Sequence, residues 1–221
     1  MPWPDQLIHF IDFEGSVGSG ILEFGVVSIQ GGQIVNTATR ACRATGRVRM
    51  EDVAVHGLAA EQLAGEAPFA EELERFAELR ESGPLAAHFA QAENTMIKSV
   101  WPYPRQSPDF VRKGQSVVEW GPWVDTGRLY PQLYPTLESA KLGDLVNRCG
   151  LQTELDAAAE RYCPADRRHY HAALYDALAG ALLLLRLGEQ SGVADQSLAW
   201  LLTTSTLDPV KRAAMTQGDL F

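Results

Sequence analysis

The sequence predicts an α/β domain with a mixed central sheet, an antiparallel meander joined to parallel strands, flanked by helices. Three observations carry this. The N-terminal part holds three apolar runs, the second rich in Val and Ile, and Gly31-Gly32 separates the second from the third, which is a two-residue hairpin signal. Further along, short apolar runs alternate with segments of helical periodicity. Ala172 to Leu187 is one long apolar helix that has to be buried. A sheet covered by helices on both faces satisfies that order.

The elements follow in chain order. Leu7–Phe13, Ile21–Ile29 and Gln33–Thr39 read as the three strands of the meander. Pro68–Glu81 places Phe69, Leu73, Phe76, Ala77 and Leu79 at helical spacing, and Ser82-Gly83-Pro84 ends it. Leu85–Phe89 is a short strand leading into a helix through Met96 and Ile97. Residues Trp101–Pro122 carry four prolines, two tryptophans and several basic side chains, the composition of a long loop or insertion with a role of its own. Val124-Asp125-Thr126 ends a strand, a helix follows, and Lys141–Cys149 is another helix capped by Gly150. After the long helix come a short helix near Ser197–Leu202 and a polar tail to Phe221. The expected division is a domain over 1–190, with 101–122 as its insertion, and a C-terminal helix and tail over 191–221.

Composition bounds the function. The chain has 221 residues, 46% hydrophobic and 21% charged, which excludes a disordered chain, a collagen and a membrane bundle. Nineteen basic against 28 acidic side chains give −9, which argues against a broadly basic nucleic-acid-coating protein. Cys42, Cys149 and Cys163 are far apart and lack a Cys-x-x-Cys, so neither a disulfide framework nor a zinc site is expected. The start shows no basic segment before an apolar run, and the apolar stretch Ala177–Leu187 is broken by Arg186. No membrane association and a cytoplasmic location are the expectations.

Two clusters of residues carry chemistry. Asp12 and Glu14 close the first strand; residues two apart on a strand share a face, so two carboxylates stand side by side and repel unless a cation lies between them. Two solvated carboxylates on an edge would look the same in isolation. The glycine-rich stretch after them, Gly15–Gly20, fits neither phosphate-binding pattern and leads into a strand rather than a helix. Asp176 lies inside the most apolar helix, where a carboxylate is costly without a cation or donors. Its neighbours Ala172, Ala173, Ala179 and Gly180 are small, allowing close backbone approach. His171 is off that helical face and is expected on the preceding loop, reaching in from the side. Glu93, just after the fourth strand, is a weak signal alone.

Together these residues resemble the DEDDh 3′–5′ exonucleases, the superfamily of proofreading subunits, ribonuclease T and oligoribonuclease. Asp12-x-Glu14 matches the first motif; Ala87–Glu93 aligns with A-H-N-x-x-F-D; His171–Ala177 matches H-x-A-x-x-D-A in full. Val55-His56-Gly57-Leu58, Trp123–Thr126 and Lys141–Leu145 match secondary features in the same order. Two departures matter: the second-motif Asp is Glu93 and its Asn is Phe89. The resemblance implies a ribonuclease H-like fold and two Mg²⁺ or Mn²⁺ ions held by Asp12, Glu14, Glu93 and Asp176, since hard carboxylate oxygens suit such ions. It implies His171 as general base, release of 5′-mononucleotides, and contact of Gly15, Ser16 and His56 with the substrate strand; His56 reads equally well as a packed turn histidine. DNA with a single-stranded 3′ end is the expected substrate. An RNA-trimming exoribonuclease and a non-catalytic nucleic-acid-binding module with a decayed site are the alternatives.

Grip on a strand needs positive charge. Arg40, Arg43, Arg47 and Arg49 form one basic cluster; Arg105, Arg112 and Lys113 form another, interleaved with Trp101, Tyr103, Phe110 and Trp120. Aromatic and basic residues together suit stacking on single-stranded bases, and equally suit a loop packed onto the domain. Finally, Gln217-Gly218-Asp219-Leu220-Phe221 resembles the sliding-clamp-binding pentapeptide Q-L-[SD]-L-F, with Gly218 departing. That resemblance implies a clamp partner, with Gln217, Asp219, Leu220 and Phe221 docking in an apolar groove.

Overall fold

The computed structural model describes residues 2–206 and 209–216. The expected fold class stands. One sheet has the order β3-β2-β1-β4-β7, and a two-stranded ribbon, β5-β6, lies apart from it. β1 (Ile8–Ser16), β2 (Gly20–Gln30) and β3 (Gln33–Ala41) form the antiparallel meander, with Gly31 and Gly32 both at positive φ in the turn. β4 (Leu85–Ala87) pairs parallel with β1, and β7 (Val124–Asp125) parallel with β4.

Each face of the sheet has its own core. On one face, α7 (Ala173–Gly188) crosses β1 and β2, supported by α4 (Thr126–Leu133), α5 (Leu142–Arg148) and α6 (Gln152–Tyr162). On the other, α2 (Leu73–Ser82) and α3 (Gln91–Val100) cover an aromatic cluster of Phe13, Phe24, Phe69, Phe76 and Trp101, ring centroids 4.7–6.0 Å apart. The small residues of α7 do allow close approach: a Cβ on Gly25 of β2 would stand 2.3 Å from the Ala173 backbone, and one on Gly180 2.1 Å from the Phe10 ring.

Four local features differ from the sequence expectation. Helix α1 (Met50–His56) and helix α6 carry little sequence signal: α1 is two turns long, and α6 buries only Leu155 and Ala159. Residues Pro209–Thr216 of the polar tail are helical, α9. Residues 101–122 are built in rather than looped out. Their strands β5 (Ser107–Pro108) and β6 (Ser116–Val117) pair, and the fully buried Arg80 of α2 donates to the carbonyls of Pro108, Glu119 and Gly121 at 3.0–3.2 Å. Trp120 is fully buried, and its indole N–H bonds the Trp101 carbonyl at 2.9 Å. Of the four insertion aromatics proposed for base stacking, Trp101 and Trp120 belong to the core, Phe110 lies half-buried under Arg80, and Tyr103 alone stands well exposed. Large aromatic surface is worth more buried than displayed.

Among the described residues past 190, Val193, Gln196 and Ser205 join the body. Trp3 bonds the carbonyls of Val193 and Gln196, and Ser205, which ends α8 (Leu198–Ser205), accepts the Asp125 N–H at 3.0 Å. The cysteines are unbridged. Among the described residues no helix is long and apolar enough to cross a membrane.

Candidate active site

Three distant segments meet at one end of β1. Asp12 and Glu14 share a face of that strand, opposite Gly25 and Glu23 of β2. The strand bulges directly after Glu14, and Gly15 takes φ +125°, where a Cβ would stand 2.4 Å from the Gly20 carbonyl. Gly15 is thereby required by the turn itself. Ser16 and Ser19 bond each other through hydroxyls and backbone N–H groups at 3.0–3.1 Å, closing the hairpin. The stretch forms a tight connection between β1 and β2.

β4 pairs with β1 only at His9 and Phe10, so the edge of β1 beyond them is open. The first turn of α3 fills that edge with Glu93, whose carboxylate feels the pull of the Phe13 backbone N–H. The approach is set by the turn before α3, where Phe89 sits at φ +60°, a left-handed conformation costing a non-glycine residue about 1–2 kcal/mol. The Asp125 carboxylate holds that turn by accepting the N–H groups of Phe89 and Ala90 at 3.0 and 3.1 Å, and the ring lies over Gly127 with the Arg128 guanidinium 5.3 Å from its centroid. His88 is fixed as a neutral imidazole: Nε2–H donates to the Ala140 carbonyl at 2.8 Å, Nδ1 accepts from the Thr126 hydroxyl at 2.9 Å, and burial lowers its pKa to about 4.

Asp176 comes from the first turn of α7. His171 lies on the loop before that helix, as expected, exposed and at φ +64°. Its backbone N–H donates to Asp176 Oδ2 at 3.0 Å. A ring nitrogen of His171 and carboxylate oxygens of Glu14 and Asp176 all lie within 4.8 Å of one another.

The electrostatics are those of like charges packed together. Burial first, then repulsion from Glu93, Asp176, Glu14 and Glu23, raises Asp12 well above the usual carboxylate range. Glu14 rises to about 8 through burial and the charges of Asp176 and Glu23. Glu93 rises to about 8 through burial and Glu14, against the pull of the Phe13 N–H. Asp176 reaches about 7, burial outweighing the His171 N–H bond. Glu93 Oε2 and Asp176 Oδ1 are buried with no hydrogen-bond partner. Four mutually repelling carboxylates with two orphaned oxygens are costly as a bare protein arrangement and fit a set of hard divalent-cation ligands.

Two neighbours carry no signal that the sequence alone revealed. Glu23 of β2 is buried beside Glu14 and receives the Arg167 guanidinium at 2.6 and 3.0 Å, together with the Ala173 N–H at 2.9 Å. Arg167 also donates to the carbonyls of His56 and His171, at 2.7 and 3.1 Å. His56 ends α1 as a packed histidine whose Nδ1 accepts from Leu58 N–H at 3.1 Å, while Nε2 is buried without a partner. Arg40 pairs with Glu72 at 3.2 Å, and Arg105 with Glu74. Arg43, Arg47 and Arg49 are exposed on the segment that packs against the β1–β2 turn through Thr45 and Ser19. Gln217, Asp219, Leu220 and Phe221 lie outside the described residues.

No family model and no curated protein matches the sequence. Solved structures do match in shape. Exonuclease X in complex with 5′ overhanging duplex DNA superposes with a TM-score of 0.60 at 21% identity, covering 88% of this chain and 99% of that one. The nuclease domain of 3′hExo, a DEDDh family member bound to rAMP, gives 0.62 at 16% identity over 89% and 98%. E. coli Exonuclease I in complex with a dT13 oligonucleotide gives 0.62 at 11% identity over 83% and 41%. The chain therefore has the fold that these exonuclease structures share.

Proposed function

We propose that this chain is a divalent-metal-dependent 3′–5′ exonuclease that releases 5′-mononucleotides from single-stranded DNA ends. The observation that carries this is the acidic centre in which Glu14, Asp176 and a ring nitrogen of His171 lie within 4.8 Å of one another, with Asp12 and Glu93 close enough to repel the same carboxylates. Asp12, Glu14, Glu93 and Asp176 would hold two Mg²⁺ or Mn²⁺ ions. When bound, such ions activate water and stabilise the attacking and leaving oxygens of an in-line phosphoryl displacement.

The chain's own residues do the rest. A ring nitrogen of His171 takes the proton of the attacking water as general base. Its backbone bond to Asp176 ties that base to a metal-holding carboxylate. Gly15 leaves the backbone bare beside Glu14, where the terminal sugar would lie. The cationic Arg43, Arg47 and Arg49 rim the same end of the sheet and suit phosphate contacts. Location in the cytoplasm, and tethering to a sliding clamp through Gln217, Asp219, Leu220 and Phe221, complete the proposal; loss of clamp pull-down on deleting 217–221 is the expected result, and undiminished capture would remove the tether.

RNA is the second substrate class. It is favoured by one match, the 3′-exonuclease in 3′-end specific recognition of a histone mRNA stem-loop, with a TM-score of 0.63 at 16% identity. The deciding experiment incubates 5′-labelled DNA and RNA oligonucleotides of one sequence with the protein and either ion. A one-nucleotide ladder from the 3′ end, faster on DNA, supports the proposal. A faster RNA ladder selects the second class, and no ladder on either, where a known exonuclease gives one, overturns both in favour of a binding module.

A further inference from the structure

We infer that Arg167 and Glu23 are positioning residues for His171: the ion pair locks the loop that carries the proposed general base. This rests on the exonuclease proposal for the chemistry of His171 and on geometry for the rest.

His171 adopts a backbone conformation that only it and Phe89 share among the described non-glycine residues. Such a conformation persists where surrounding bonds over-determine it. Here the bonds close a ring. Arg167 Nη2 donates to the His171 carbonyl at 3.1 Å and to Glu23 Oε2 at 2.6 Å. That same oxygen accepts the Ala173 N–H at 2.9 Å. The turn His171-Ala172-Ala173 is thus gripped at both ends by one ion pair, while Asp176 Oδ2 takes the His171 N–H. The pair is largely buried, with side-chain exposures of 12% for Arg167 and 6% for Glu23, so solvent does not compete for these bonds. The grip is also anchored outside the loop. Glu23 belongs to β2, directly opposite Glu14, and Arg167 Nη1 holds the His56 carbonyl at the end of α1 at 2.7 Å.

The strut therefore references His171 to the same strand pair that carries Asp12 and Glu14. Arg167 and Glu23 complete their hydrogen bonds among themselves and with backbone groups, which assigns them to placing the imidazole and leaves cation holding to the other carboxylates. The guanidinium is bonded to both Glu23 oxygens, a bidentate pairing that fixes the orientation of both side chains.

The test is a double-mutant cycle on the full chain with Mn²⁺ and 5′-labelled single-stranded DNA, joined to ¹⁵N relaxation of the His171 amide without substrate. R167M is expected to lower kcat about a hundredfold, the cost of displacing a reacting group by about 1 Å, with KM changed less than threefold and R167K partly restoring the rate. In an H171A background the same R167M change is expected to cost less than threefold, because its effect runs through the imidazole. The His171 amide order parameter is expected to fall from about 0.85 to below 0.6. An equal R167M penalty in both backgrounds, or an unchanged order parameter, overturns the inference. E23Q supplies the same readings with a milder loss should R167M not fold. A wild-type chain without nuclease activity refutes the exonuclease proposal, and the order parameter then decides the positioning role alone.

Discussion

Alanine at Gly25 presses one methyl group into the start of α7, and the consequence can be worked from the contacts. The added Cβ stands 2.3 Å from the Ala173 carbonyl group and 2.4 Å from the Leu174 nitrogen. Carbon contacts are comfortable from about 3.5 Å, so β2 and α7 must part by about 1 Å. Both are backbone, and neither side can yield by a rotamer change. Overpacking of this kind costs about 1–3 kcal/mol, which in a chain of this size lowers Tm by roughly 2–12 °C. The catalytic cost is larger in proportion. The shifted helix start carries Asp176 and follows His171, while Asp12 stays on β1 opposite Gly25. A displacement of about 1 Å costs on the order of a hundredfold in rate. The assay is kcat/KM on a 5′-labelled oligonucleotide beside a thermal melt, with Gly65→Ala as control, since a Cβ at Gly65 meets nothing within 4 Å. A folded G25A protein whose kcat/KM stays within threefold of wild type would refute the claim that this close approach sets the site.

Three further perturbations have expected outcomes. Glu93→Asp withdraws the carboxylate by one methylene from the Phe13 N–H, and a loss of about 10- to 100-fold in rate is expected; a variant as fast as wild type would show that the longer side chain is incidental. In EDTA, the native chain holds more protons than the unfolded chain between the ordinary carboxylate range and about 8, because Glu14 and Glu93 are raised to about 8, so stability falls as pH rises through that window. His9 and His88, lowered to about 4, contribute with the opposite slope between 4 and 6.5, which leaves pH 6.5–8 as the clean interval. Melting in EDTA is expected to drop across it by roughly 1 kcal/mol per pH unit for each proton released, and Mn²⁺ or D12N to flatten the slope; a flat melt in EDTA contradicts the acidic centre. Arg80→Met leaves the Pro108, Glu119 and Gly121 carbonyls without their donor, and a loss of about 3 kcal/mol is expected, seen as a lower Tm and faster proteolytic nicking within 101–122.

How much was legible follows from the range of each signal. Asp12 and Glu14 declare themselves through the two-residue period of a strand, and Asp176 through its cost in an apolar helix; both are local arguments. Glu93 needed the motif, because a carboxylate at the start of a helix is ordinary until the open edge of β1 is seen. Phe89 entered the sequence only as a departure from Asn, and its left-handed turn explains why Asn would suit the position, with Asp125 and Gly127 accommodating the aromatic ring instead. Glu23 was invisible: one acidic residue in a Val- and Ile-rich strand reads as a solvent-facing position, and its partner Arg167 lies 144 residues away. Arg80 was hidden for a related reason, since an arginine in a helix rich in Glu reads as surface. The composition of the insertion left two readings open. Tryptophan beside arginine describes a nucleic-acid platform and a packed loop equally well, and the buried Trp120 and Arg80 settle that contest for packing.

In the proposed mechanism Asp12, Glu14, Glu93 and Asp176 act as one cation-holding unit at a 3′ end. This is tested most directly by measuring, with saturating Mn²⁺, the single-turnover rates of D12N, E14Q, E93Q and D176N beside wild type. Groups that act as a unit lose nearly everything with the first removal. Each variant is therefore expected to fall by at least about a thousandfold, with double variants no slower than single ones. Any folded single variant, E93Q above all, that keeps its rate within tenfold of wild type would contradict the account.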